Sequence, residues 1–200
     1  EVKVNTRDLI DAALIRGKIG HASLDAHSVD LKEGLARVNN VRLKDADLYV
    51  ALADSVPPDT TESKPALWRV ALDNVEADNV RARVLLSPQK DSVMVGATLG
   101  RARLNGTLDL AEQIFDFKDI DLSQSAVSYD ILSAKPAPEG FDQNHVELSD
   151  LNLRIPHVRY AGTGDLTVNI DALQARERSG LNITHVEGVV RMDSTRLDVE

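Results

Sequence analysis

The residues with the greatest chemical reach are five histidines, His21, His27, His145, His157 and His185, and two pairs of alternate aspartates, Asp45 with Asp47 and Asp119 with Asp121. An imidazole titrates near neutral pH and ligates metals, so two histidines at i, i+4 on a helix beside a carboxylate would mark a zinc site. No pair has that spacing, and each histidine reads as a polar-face or loop residue. Aspartates at i, i+2 put two carboxylates on one strand face, a start toward a hard-cation site. Calcium loops add further oxygen ligands around a turning glycine, which neither pair has, so solvated strand positions are the simpler reading. "GATLG" (Gly96 to Gly100) has small-xxx-small spacing in a polar, strand-like context, unlike a membrane dimer helix. "AGTGD" (Ala161 to Asp165) lacks the Lys-Ser/Thr and helix of a phosphate loop and reads as a turn. "NGT" (Asn105 to Thr107) and "NIT" (Asn182 to Thr184) match a glycosylation pattern that matters only in a eukaryotic secreted chain. No nucleophile, base and orienting partner can be assembled, so no enzyme, cofactor or metal site is expected.

With chemistry so dispersed, the elements carry the information. The chain has 200 residues, 42% of them hydrophobic, which suits one folded domain over 1–200. Aromatics make up only 4%, so Val, Leu, Ile and Ala must supply the apolar mass, which favours a thin, even layer over a deep core. A net charge of −9 offers phosphates no basic field, so nucleic acid is not an expected partner. The absence of cysteine removes disulfides and thiolate-held metals and fits the cytosol and an envelope compartment equally. There is no run of eighteen apolar residues and no signal-peptide pattern, and the chain starts and stops inside patterned sequence, so it reads as a fragment of a longer protein. Thr6 as N-cap, the stripe Leu9, Ile10, Ala13 and Leu14, and Gly17 as a stop predict a short helix over 7–16. From Lys18 onward alternation with period two predicts half-buried strands, as in "VRARVLL" (Val80 to Leu86). Pro, Gly, Ser and acidic residues over 55–65 and 133–144 predict exposed loops.

One phrase recurs. In "VRLKDADL" (Val41 to Leu48), Val41 and Leu43 share a strand face, but the next apolar residue, Ala46, follows after three residues instead of two. The same step separates Leu72 from Val75, Leu122 from Ser125 and Leu148 from Leu151, with looser copies at Leu31 to Gly34, Ile170 to Leu173 and Met192 to Thr195. The intervening residues, among them Lys44-Asp45, Asp73-Asn74, Ser123-Gln124, Ser149-Asp150 and Asp193-Ser194, accept bulge or tight-turn geometry. A corner at each step would return the apolar residues to one face and bend the sheet at one level in every copy. Two all-β architectures follow. One is a long curved antiparallel or mixed sheet, an open half-pipe with one short helix; the alternative is a closed β-sandwich. A fixed-period β-helix is disfavoured because the spacings are unequal.

The segment "RERSGLNITHVEGVVRMDSTRLDVE" (Arg176 to Glu200) resembles a stretch of bacterial TamB-type (translocation and assembly module) proteins, especially those of Bacteroidetes. "TRDLIDAALIRGKIGHASL" (Thr6 to Leu24) is similar to the helix-then-strand unit of the AsmA-like superfamily, whose members also repeat an L-x-D-A-x-L phrase. The resemblance covers nearly the whole chain through structural motifs, without a catalytic signature. It implies a periplasmic segment of a protein anchored in the inner membrane by parts not present here, extending as an open β-trough with an apolar interior. It also implies a role in phospholipid transport between the two membranes, in assembly of outer-membrane proteins and autotransporters, or in both, with a BamA-like outer-membrane partner of the TamA kind.

On that reading the working residues form a stripe facing phospholipid acyl chains: Val41, Leu43, Leu48, Val70, Leu72, Ile120, Leu122, Val127, Val146, Leu148, Leu151, Leu153, Val168 and Ile170. In a sandwich the same residues would be ordinary core. Two rivals come from other classes. An extracellular adhesin or passenger segment would show polar residues on both sheet faces, and a carbohydrate-active β-helix would cluster acids and aromatics along a groove, which a single Trp68 and scattered acids do not.

Overall fold

The computed structural model describes residues 2–5, 13–52, 68–86, 92–162 and 164–200. Ten strands form one sheet in chain order: β1 (Val2–Asn5), β2 (Ala13–Asp30), β3 (Leu35–Leu52), β4 (Arg69–Leu86), β5 (Val93–Asp109), β6 (Ile114–Ile131), β7 (His145–Ala161), β8 (Asp165–Glu177), β9 (Asn182–Met192) and β10 (Leu197–Val199). Neighbours are antiparallel throughout except β3 and β4, which run parallel. β1 and β10 do not pair with each other, so the sheet is open. Each strand contacts only its sheet neighbours, and among the described residues no second layer stands over either face. The fold is thus all-β, a single open, trough-like sheet, and the described residues do not form a sandwich.

Two expectations need correcting or placing. Of the helix expected over 7–16, residues 7–12 lie outside the described residues, while Ala13–Arg16 are strand, paired with Tyr49–Leu52. Ile15, Gly17 and Ile19 alternate toward Val50, Leu48 and Ala46, and this ladder outweighs the local helix signal. Gly17, expected as a helix stop, lies so close to β3 that a Cβ there would stand 2.7 Å from Leu48 Cδ2. The loop expected over 55–65 lies outside the described residues; that over 133–144 is the irregular connection between β6 and β7.

Strands β2 to β7 run for 17 or 18 residues, about three times the usual length. Corners divide them. At Asp45, Asn79 and Gln124 the backbone turns left-handed, with φ of 52°, 53° and 51°. The registers Ile19↔Ala46, Ala46↔Val80 and Val80↔Leu99 set Gly20, Asp45, Asn79 and Gly100 side by side, and Gly100 lies against the Gln124 backbone with no room for a side chain. These residues form one corner line across five strands, and Asp150 (φ 51°) carries it into β7.

The copy at Asp73-Asn74 does not belong to that line. It sits five residues away beside Asn39-Asn40, where Leu72 pairs with Val38 and Val75 with Val41. A second line therefore runs from the His27 bulge through Asn39-Asn40, Asp73-Asn74, Asn105 and Asp119 (φ 51°) to Pro156 and the shift after Ile170. The single level expected from sequence is corrected to two, because every long strand needs both bulges to keep its face. In β3, for example, the inward residues are Ala36 and Val38, then Val41 and Leu43, then Ala46, Leu48 and Val50. The looser copies at Leu31 to Gly34 and Met192 to Thr195 are hairpin turns instead of corners.

Burial shows which way the sheet bends. The row just past the first corner line holds Ala46, Val80, Ser125, Leu151 and Ala175, all buried, whereas no side chain among the described residues is fully buried. Without a covering layer, side chains bury one another only where a concave corner crowds them, so the apolar face lies inside the bend.

Candidate functional site: an open apolar face

The ladder places all fourteen stripe residues on one face. Directly opposed residues of neighbouring strands share a side of the sheet. Leu43 faces Ala77, Leu48 faces Ala82, Val70 faces Ala36 and Leu72 faces Val38. Ala102 opposes Leu122, Ala97 opposes Val127, and Ile120, Leu122, Val127 and Tyr129 oppose Ile155, Leu153, Leu148 and Val146. Val158 opposes Val168. Of the fourteen, Leu151 is buried and the others are half-buried, the condition of side chains covered by lateral neighbours but not from above. At the β2 edge even that cover fails: Leu24 is 67% exposed although its partner Val41 is half-buried.

Several residues of the face were missed in the sequence. β5 contributes Val95, Ala97, Leu99, Ala102 and Leu104, and β6 contributes Phe115 and Phe117. Their signal was available as the same three-residue step, Leu99 to Ala102 around Gly100 and Phe117 to Ile120 around Asp119.

The opposite face is charged and cross-linked between strands. Arg37 pairs with Asp73 at 3.2 Å, Arg42 with Glu76 at 3.1 Å, Arg69 with Asp109 at 2.7 Å, Arg83 with Asp47 at 3.4 Å and Arg154 with Asp121 at 3.9 Å. Two corners also carry amide to carboxylate links: Asn79 donates to Asp45 at 2.6 Å and Asn105 to Asp119 at 3.0 Å. The two aspartate pairs are thereby engaged separately, one member at a corner and the other in an ion pair.

The histidines do not converge. His21 and His27 are exposed on β2, while His145, His157 and His185 each meet one carboxylate, Asp142 at 3.0 Å, Asp116 at 3.1 Å and Glu187 at 3.3 Å. No group of three His, Cys, Asp or Glu among the described residues could hold a metal. Buried polar groups are satisfied: no buried side-chain nitrogen or oxygen among the described residues lacks a partner.

Carboxylates clamp the turns at both rims. On one rim Asp30 accepts the N–H groups of Lys32 and Glu33, Asp109 those of Ala111 and Glu112, and Asp193 those of Thr195 and Arg196. On the other, Asp142 accepts from Ala137 and Asn144, and Glu177 from Ser179 at 2.6 Å. These bonds hold four of the carboxyls below their ordinary range: Asp109 through the Glu112 N–H and then Arg69, Asp142 through the Ala137 N–H, Glu177 through the Ser179 hydroxyl and N–H, and Asp193 through the Thr195 N–H. Their role is to fix turns, since each accepts backbone N–H groups of its own turn.

No family model matches the chain, and no curated protein is similar to it.

Proposed function

We propose that this chain is a segment of an envelope-biogenesis protein of the AsmA-like, TamB-type kind. Its open face is a path for phospholipid acyl chains between inner and outer membrane, with or without a part in outer-membrane protein assembly beside a BamA-like partner. The compartment that goes with this reading is the periplasm. One observation carries it: an apolar face continuous over the strands from β2 to β9 that, among the described residues, no second layer covers. Water against so much hydrocarbon is costly, at roughly 25 cal/mol per Å2, and an acyl chain laid on the face would gain about 0.8 kcal/mol per buried methylene. Because the face is a continuous stripe, such a chain can slide along it. The sidedness weighs against an adhesin or passenger segment, for which polar residues on both faces are expected.

Native mass spectrometry of the purified protein tests this, with co-purified phospholipid as the expected result. Leu122→Asp places a carboxylate in the middle of the face. The variant is expected to keep its β circular dichroism, because Leu122 is only half-buried, and to lose bound lipid. Unfolding of that variant, together with no lipid on the parent protein, would sink the proposal.

A further inference from the structure

Resting on the lipid-path reading, we propose that a diacyl phospholipid lies in the trough in one orientation, its glycerol and headgroup at the rim that carries Trp68, Phe115 and Tyr160 and its acyl tails on the aliphatic floor beyond.

The inner face is not uniform from rim to rim. Near the rim formed by the β5–β6 and β7–β8 turns, Val70 opposes Leu108, Leu108 opposes Phe115, Phe115 opposes Tyr160 and Tyr160 opposes Leu166, one row across five strands. The Phe115 and Tyr160 rings stack with centroids 5.9 Å apart. Trp68 continues this face outward. Its carbonyl accepts the Leu110 N–H at 2.9 Å, one step past the pair Arg69↔Asp109, and it stands two residues before inward-facing Val70. Trp and Tyr join an apolar ring to a polar N–H or O–H, so they are most stable where hydrocarbon meets water.

The other rim has a different character. Tyr129 is the one inward-facing aromatic of its strands, with the exposed Phe141 in the β6–β7 connection, and Glu177 stands on the inner face opposite Leu148, only 3% exposed. The Ser179 hydroxyl and N–H keep that carboxyl ionised. A phosphate brought beside it would meet like charge on the inner face, whereas the strand carboxylates nearest the aromatic rim, Asp30, Asp109, Asp116 and Asp165, alternate to the outer face. Between the rims lies the aliphatic floor, including Val41, Leu43, Ile120, Leu122 and Leu153. From Phe115 to Leu122 the strand advances by roughly 23 Å of contour at about 3.3 Å per residue, ample for tails that fill about 15 Å in a bilayer leaflet.

Trp68 is the only tryptophan in the chain, so it reports on its own surroundings. The full chain would be loaded with phosphatidylcholine brominated either near the glycerol end or near the terminal methyl of its acyl chains, and occupancy confirmed by native mass spectrometry. Greater loss of Trp68 fluorescence with bromine near the glycerol is the expected result. A second reporter, Tyr129→Trp combined with Trp68→Phe and checked by circular dichroism, should lose less fluorescence with that lipid. Stronger quenching of Trp68 by terminal bromine, or stronger quenching of the second reporter than of Trp68 by glycerol-end bromine, overturns the orientation. Bound lipid that quenches neither reporter overturns it too, while leaving the lipid path standing. Absence of bound lipid altogether removes the lipid path and the orientation with it.

Discussion

At the residue scale, a few backbone positions decide the shape of the sheet. Asp45 at φ 52° must take the left-handed conformation for β3 to turn, and its neighbours tolerate it because Gly20 has no Cβ to collide with it. A β-branched side chain is strained there by roughly 1–2 kcal/mol, whereas glycine adopts the conformation freely. Asp45→Val should therefore lower the urea midpoint clearly more than Asp45→Gly, although both lose the bond from Asn79. Equal losses would mean that the amide to carboxylate link, and not the backbone turn, matters at this corner. The same logic explains why Asp, Asn, Gln and Gly recur at the corners and Val and Ile do not.

At the element scale, two corner lines about five residues apart cut each long strand into three short ones. The bulge at each line shifts the parity of the side chains, which is why "VRLKDADL" steps by three and still keeps Val41, Leu43 and Ala46 on one face. Since each strand is held only by its two neighbours, stability is passed from strand to strand as in a repeat array. Opening should then begin at the ends. β1 pairs with β2 only over Arg16–Ile19, and β10 with β9 over Val190–Met192. In hydrogen exchange, amides of Gly20–Asp30 and of β10 are expected to exchange first and those of β5 to β7 last. Uniform exchange across all strands would contradict this nearest-neighbour picture.

At the scale of the whole molecule, the two faces and the two rims are held by different forces. The outer face is laced with exposed ion pairs worth about 0–1 kcal/mol each, so it secures solubility more than stability. The rims depend on ionised carboxylates. Asp109, Asp142, Glu177 and Asp193 are all held below their ordinary values, so the unfolded chain binds protons more readily than the folded one as acid is added. Their contribution is present at neutral pH and is lost as pH falls through about 4 and below. The thermal midpoint should drop over that range, and the drop should be smaller in Asp142→Asn, whose starting stability at pH 7 should be lower. A midpoint independent of pH between 5 and 3 would show that the clamps do not stabilise the rims.

Much of this was legible in the chain. Alternation of Val, Leu, Ile and Ala identified strands, and the three-residue step located corners, because both are local consequences of backbone geometry. Alternation together with the three-residue step puts Val41, Leu43 and Leu48 on one face, and in the ladder they share it. What local pattern could not decide was the path of the ends and the relation between distant strands. Ala13–Arg16 has a helical apolar stripe but becomes strand once β3 offers a ladder, and the parallel pairing of β3 with β4 is visible only in register. Nor could periodicity distinguish an open trough from a sandwich. Both need an apolar face, and whether a second sheet covers it depends on how the strands are arranged in space. Tertiary structure decided that: the ten strands pair in chain order, and among the described residues no second sheet closes over the face.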